Sequence, residues 1–172
     1  LRELPDMKLA VDYYEAALVI NQNLPAVWES LGTAYFQLHR YDLSAQNFKK
    51  AFEVFNTSEL HRRLLEVQGL IYEQNGELDL AITTLCNAMG ENSQNTSLHC
   101  QIGNLYYKKN DFKNAYYHFQ QAIAAGILDP DTLFFAGRCA HSLGHEEAAK
   151  DYCSKFLQLK SDGQEAQWIR QN

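Results

Sequence analysis

Residues 25–51 read PAVWESLGTAYFQLHRYDLSAQNFKKA. Trp28, Leu31, Gly32 and Tyr35 belong to a first helix, HRYD (39–42) makes a turn, and Ser44, Phe48 and Ala51 follow at spacings of four and three, one face of a 3.6-residue period. The same arrangement returns along the chain. Glycines stand at 32, 69, 103 and 137, separated by 37, 34 and 34 residues, inside LGTAYFQL, QGLIYEQN, IGNLYYKK and AGRCAHSL. A column of small residues runs Ala10, Ser44, Ala81, Ala115, Ala149; a bulky column runs Tyr14, Phe48, Leu85, Phe119 and ends on Cys153. A third runs Ala17, Ala51, Ala88, Ala122 and ends on Phe156. All four columns take the 37-residue step at the same place, so three residues are inserted between about Asn56 and Arg62. Two helices joined by a short turn pack antiparallel, and a Gly facing a small residue is expected to let their axes approach, with the bulky residue filling the space beside. Such a hairpin cannot bury its apolar face alone, so neighbours stack.

This pattern resembles the tetratricopeptide repeat. The repeat from Pro25 carries Trp28, Leu31, Gly32, Tyr35, Phe48 and Ala51, with Ser44 where Ala is usual; the repeat from Thr96 carries Ile102, Gly103, Tyr106, Ala115, Phe119 and Ala122. The repeats from Arg62 and Pro130 depart further, with Gln68 in place of Leu, and Cys153 and Phe156 where an aromatic and an Ala are usual. The family's terminal Pro is replaced by Gln22, Asn56, Ser93, Ile127 and Ser161. The resemblance implies an all-α, right-handed α-solenoid of stacked antiparallel helix hairpins: a partial repeat 1–24, repeats 25–58, 62–95, 96–129 and 130–163, and a helix 164–172, anchored by Trp168 and Ile169, that caps the last repeat or else opens another. A solenoid that opens mid-hairpin reads as a piece of a longer protein, and Leu1, Leu4 and Leu9 on its first helix are candidates for self-association.

In this family the first helices line a concave groove where partners lie. Carried over through the glycine columns, the groove presents Glu29, Thr33, Phe36 and Gln37, then Arg63, Glu66, Leu70, Glu73 and Gln74. It continues with Gln101, Asn104, Tyr107 and Lys108, then Asp131, Phe134, Arg138 and His141. Phe36, Leu70, Tyr107 and Phe134 are apolar groups on a face a plain spacer would keep polar, and with Asn104, Lys108 and Arg138 they suit an extended or helical peptide; the alternative, above all for Leu70 and Phe134, is packing between adjacent first helices. The Lys–Asn–Arg clamp by which some members hold acidic chaperone tails is not matched, since Glu29/Thr33, Glu66/Leu70 and Cys100/Asn104 occupy its sites.

Other chemistry is thinly represented. The net charge of -6 disfavours nucleic acid, which wants a basic face, and no apolar run approaches the roughly 20 residues of a membrane helix. Cys86, Cys100, Cys139 and Cys153 form no C-x-x-C pair and read as free thiols, pointing to a reducing, cytoplasmic setting. His141 and His145 are four apart, but Gly144 breaks the helix between them, so a metal pair is not expected. Without a phosphate loop, nucleophile elbow or cofactor motif, the chain reads as a non-enzymatic scaffold or adaptor binding a protein or peptide. A secretion or assembly chaperone, or a non-catalytic appendage of a larger enzyme, is the alternative.

Overall fold

The structure, a computed structural model, describes residues 3–90 and 96–171; Leu1, residues 91–95 with Ser93, and Asn172 lie outside them, as does the side chain of Leu4. The described residues form ten helices: α1 (Glu3–Ile20), α2 (Pro25–Gln37), α3 (Tyr41–Val54), α4 (Ser58–Gln74), α5 (Leu78–Met89), α6 (Thr96–Lys108), α7 (Phe112–Ala124), α8 (Pro130–Ser142), α9 (Glu146–Leu159) and α10 (Gln164–Gln171). Short turns join α2 to α3, α4 to α5, α6 to α7 and α8 to α9, and α1 is the second helix of the partial repeat. The chain divides into two compact units, Leu1–Ala88 and Met89–Asn172. All-α tetratricopeptide-type hairpins are therefore what the sequence periodicity builds.

Helix ends follow local chemistry. Pro25 and Pro130 open α2 and α8, where the missing N–H costs no helical bond. The side chains of Thr57, Asp111 and Asp129 accept from the N–H of Leu60, Asn114 and Thr132, at 3.2, 3.1 and 3.0 Å. Each hairpin turn holds one left-handed residue, seven positions after the columnar glycine: His39, Gly76, Asn110 and Gly144, with φ of 56°, 79°, 60° and 76°. The next N–H reaches back to a carbonyl of the first helix, as from Arg40 to Tyr35 and Asp111 to Tyr106, both at 2.9 Å. Two of these four turns thus use a non-glycine residue where glycine is least strained.

The expected insertion has a definite place. α4 has 17 residues against 13 in α2, α6 and α8, and begins at Ser58, so the added residues wind an extra first turn instead of lengthening a loop.

The glycine column works differently from the expectation. What occupies the space of each missing Cβ is the bulky residue sixteen positions on: a Cβ at Gly32 would lie 3.0 Å from the Phe48 ring, and at Gly103 2.9 Å from Phe119. At Gly69 the neighbour is Leu85, at 2.5 Å, and at Gly137 it is the Cys153 sulfur, at 3.0 Å. Gly is the hole and the bulky residue the knob; the small column closes the crossing from beside it. Ser44, fully buried, also donates its hydroxyl to the Gly32 carbonyl at 2.8 Å.

In the first unit, Val11, Leu18, Leu31 and Ala34 form one core cluster and Phe48, Ala51, Leu60 and Val67 another. In the second, Ala115, Phe119, Ala136, Cys139 and Ala140 form the main cluster, and Leu133, Phe134, Phe156 and Ala166 bind α10 to the last hairpin. Leu9, one of the expected self-association residues, is 51% exposed.

Candidate functional site

The first-helix faces of the two units differ in how their arginines are held. In the first unit, the Arg63 guanidinium meets the carboxylates of Glu59 at 3.0 Å and Glu29 at 3.5 Å, and donates to the Thr33 hydroxyl at 3.2 Å. Arg62 bridges Glu59 and Glu66 alongside it. Hydrogen bonds from Arg62 hold the Glu59 carboxyl below the usual range, with Arg63 adding to the effect against the opposing influence of burial. This network lines a cleft of about 330 Å3 with Phe36 and Gln37. Phe36 is half-buried on the Phe48 cluster, its ring 5.7 Å from Tyr41, while Gln37 is exposed and Leu70 half-buried.

In the second unit, Arg138 is held by rings. Its guanidinium carbon sits 5.4 Å from the Tyr107 ring on α6, 5.6 Å from Phe134 on its own helix and 5.0 Å from Trp168 on α10. Among the described residues no carboxylate pairs with it. Each cation–ring contact is worth about 0.5–2 kcal/mol, so the guanidinium is fixed in place while its N–H fork keeps hydrogen-bonding capacity for an anion. The rings fix one another in turn. Tyr107 lies 4.9 Å from Phe135 and 5.5 Å from Phe112, and Trp168 meets Phe134 edge-on at 5.8 Å. Burial pushes the Tyr107 hydroxyl pKa up, with Arg138 pulling the other way.

The structure thus brings Tyr107, Phe134 and Arg138 together and sets the exposed His141 5.9 Å from Trp168. Asn104 is half-buried and Lys108 exposed on the same helix as Tyr107. Phe134 does not stand out toward solvent as a free anchor: it is 7% exposed, closed in by Phe156 and Trp168, because α10 lies against it. Gln101 likewise has its amide oxygen buried. Trp168 is the member that the groove reading left out. It was legible, since Trp168 stands one 34-residue step beyond Phe134.

Among the described residues no three His, Cys, Asp or Glu side chains could share a metal ion, and no helix is long and apolar enough to cross a membrane. α8 ends at Ser142, so His141 and His145 lie on either side of a turn. All four cysteines are free, and burial raises each thiol pKa, Cys139 to about 12, which leaves them poor nucleophiles.

Comparison with known proteins accords with this architecture. Two models described as tetratricopeptide repeat match the chain, one over residues 30–95 and the other over 96–125 and 130–162, together well over half its length. The anaphase-promoting complex subunit CDC16 of Saccharomyces cerevisiae is 27% identical over 121 residues, which is 68% of this chain and 14% of that protein. The BBSome complex member BBS4 of Bos taurus is 25% identical over 142 residues, 83% of this chain and 27% of that protein. The chain therefore spans roughly a quarter or less of these curated relatives. Among solved structures, Pseudomonas aeruginosa PilF superposes with a TM-score of 0.80 at 21% identity, over 95% of this chain and 73% of that one. YrrB, described as a TPR protein with an unusual peptide-binding site, gives 0.66 at 18% identity, over 100% and 87%. Fold, repeat columns and matched models agree: the chain belongs to the tetratricopeptide-repeat family.

Proposed function

We propose that this chain is a protein-interaction module that holds a partner segment on the first-helix face of its second unit, with Arg138 receiving a carboxylate of that segment. The observation that carries the reading is the Arg138 guanidinium fixed among Tyr107, Phe134 and Trp168, with no carboxylate paired to it among the described residues. A side chain ordered before binding loses little entropy on binding, and an arginine fork pairs carboxylates in two-point geometry. Asn104 and Lys108 on α6 and His141 on α8 supply polar contacts at the rim, and Tyr107 the apolar one. On the first unit, Phe36, Gln37 and Leu70 would make a lesser contribution, because the arginines there are already paired. The relatives support the reading in kind: both are named as members of multi-protein complexes.

A peptide array probed with the purified chain tests this. The account expects selected peptides to carry an acidic residue, and Arg138→Ala to weaken the best of them at least about tenfold, or 1.4 kcal/mol. Lys155→Ala, on α9, should leave affinity unchanged. Selection of peptides without regard to acidic residues, or equal affinity for the Arg138→Ala variant, would contradict it.

A further inference from the structure

The fourth hairpin and α10 line a half-open cavity of about 300 Å3 whose origin is visible in the repeat register. At four positions of the third repeat stand Tyr107, Phe112, Tyr116 and Phe119, and at a fifth, on the next helix α8, stands Phe135. Their rings fill the corresponding space: Phe119 stacks on Phe135, with centroids 6.2 Å apart and planes at 15°, and Tyr107 meets both Phe112 and Phe135. One 34-residue step later the same five positions carry His141, Glu146, Lys150, Cys153 and Ile169, and all five line the cavity. Cys153 reaches Gly137, as Phe119 reaches Gly103, but its side chain ends at the sulfur. The space that the Phe119 ring takes toward Phe135 has no counterpart between Cys153 and Ile169.

The walls suit a ring. Trp168 offers an aromatic face or edge, Leu157 and Ile169 apolar surface, and Cys153 a polarisable sulfur, a favourable neighbour for aromatic groups. The exposed Glu146, Lys150 and His141 surround it with charged and polar groups that keep a peptide backbone solvated. A closed apolar cavity of about 150 Å3 already holds benzene, so this half-open one has room for a phenyl ring with its linking atoms. Trp168 also packs under Arg138 at 5.0 Å, so the cavity adjoins the site proposed above.

We propose that this cavity binds an aromatic side chain of the partner protein, which takes the place that Phe119 fills within the third repeat. The inference rests on the proposed docking of a partner at Arg138 and adds a second determinant to it, a phenylalanine-like residue near the acidic one.

N-acetyl-phenylalaninamide serves as the probe, with N-acetyl-leucinamide as its aliphatic control, and the Ile169 methyl and Trp168 indole NMR signals as readout. Expected is a saturable shift of both signals at roughly millimolar probe, the scale a single ring can reach, with the leucine control several-fold weaker. Cys153→Phe, which restores the third repeat's ring, should abolish the response; Cys153→Leu, matching Leu85 of the second repeat, should weaken it and serves if the larger variant does not fold. Sodium acetate titrated in the probe's place should leave the Ile169 methyl signal unmoved, which separates this site from the carboxylate site. Equal response to both probes, no shift at Ile169, or undiminished binding by a folded Cys153 variant would overturn the proposal. So would p-cresol binding more than about tenfold tighter than the blocked amino acid, since the site would then fit a free aromatic molecule better than a side chain.

Discussion

The third and fourth hairpins share a backbone plan but place their large side chain differently. In α6–α7 the fully buried Phe119 fills the hole at Gly103, and Ala122 lies one turn on, also fully buried. In α8–α9 these two positions carry Cys153 and Phe156: the small group sits in the glycine hole, and the ring moves one turn along to pack on Phe134 and Ala166 of α10. The exchange shows that a hairpin of this kind tolerates moving its bulk, provided the neighbouring helix supplies the matching small residue. It also shows the consequence, since the ring that leaves Cys153's position leaves a cavity behind.

Substitutions sharpen this contrast. Phe119→Ala should cost the most, about 3–5 kcal/mol in chemical denaturation, because it empties the centre of a close-packed crossing. Cys153→Ala should cost less than about 1 kcal/mol, having one sulfur to lose beside existing space. Comparable losses would mean the fourth hairpin is packed as tightly as the third.

A second contrast is electrostatic. His118 and His99 are buried in the third hairpin with their Nδ1 atoms 3.0 Å apart, and Tyr106 stacks on His118 at 5.6 Å; the first hairpin has Asn47 and Trp28 at these positions, and the fourth has Tyr152 and Leu133. Burial, reinforced by His99, pushes the His118 pKa down to about 4. The unfolded chain takes up a proton near 6.5 and the folded chain only near 4, so this contribution is complete above pH 6.5 and is lost as pH falls toward 4. Denaturation midpoints should register a loss of about 2 kcal/mol between pH 7.5 and 4.5, and His118→Asn, borrowing the first hairpin's residue, should remove most of that pH dependence. An unchanged slope in the variant would assign the effect to other groups.

Gly103→Ala should destabilise by roughly 1–2 kcal/mol, since its Cβ must displace a buried ring 2.9 Å away, whereas Gly137→Ala meets a smaller side chain with space beyond it and should cost about half as much. The smallest effect concerns the turns. Asn110→Gly relieves a left-handed residue at φ 60°, and should raise stability by about 0.5 kcal/mol, making this turn equivalent to Gly144 in the fourth hairpin.

Much of this architecture was legible because side-chain volume recurs at a fixed step, and a step of 34 residues leaves few alternatives to stacked hairpins. The insertion near residue 58 was readable from the columns, but not that it would wind an extra turn on α4, which depends on Thr57 capping the new helix start. The residue that fills the space of each missing glycine Cβ was not the one expected. Twelve residues on and sixteen on are both plausible facings until the helix crossing is known. At the candidate site, Tyr107 and Arg138 were named by carrying the family's groove positions along the glycine columns. The burial of Phe134 depends on α10 folding back against α8; Trp168 continues the Phe134 column at the 34-residue step, but the segment 164–171 is too short for that match alone to say how the helix docks.

The central claim is that a partner's carboxylate reaches Arg138 among its rings, and side-chain NMR with an array-selected acidic peptide tests it most directly. On titration the Arg138 Nε–H and Trp168 indole N–H signals should move together, and the same peptide with its acid replaced by the amide should move neither. Shifts confined to other helices, with these two signals still, would contradict it.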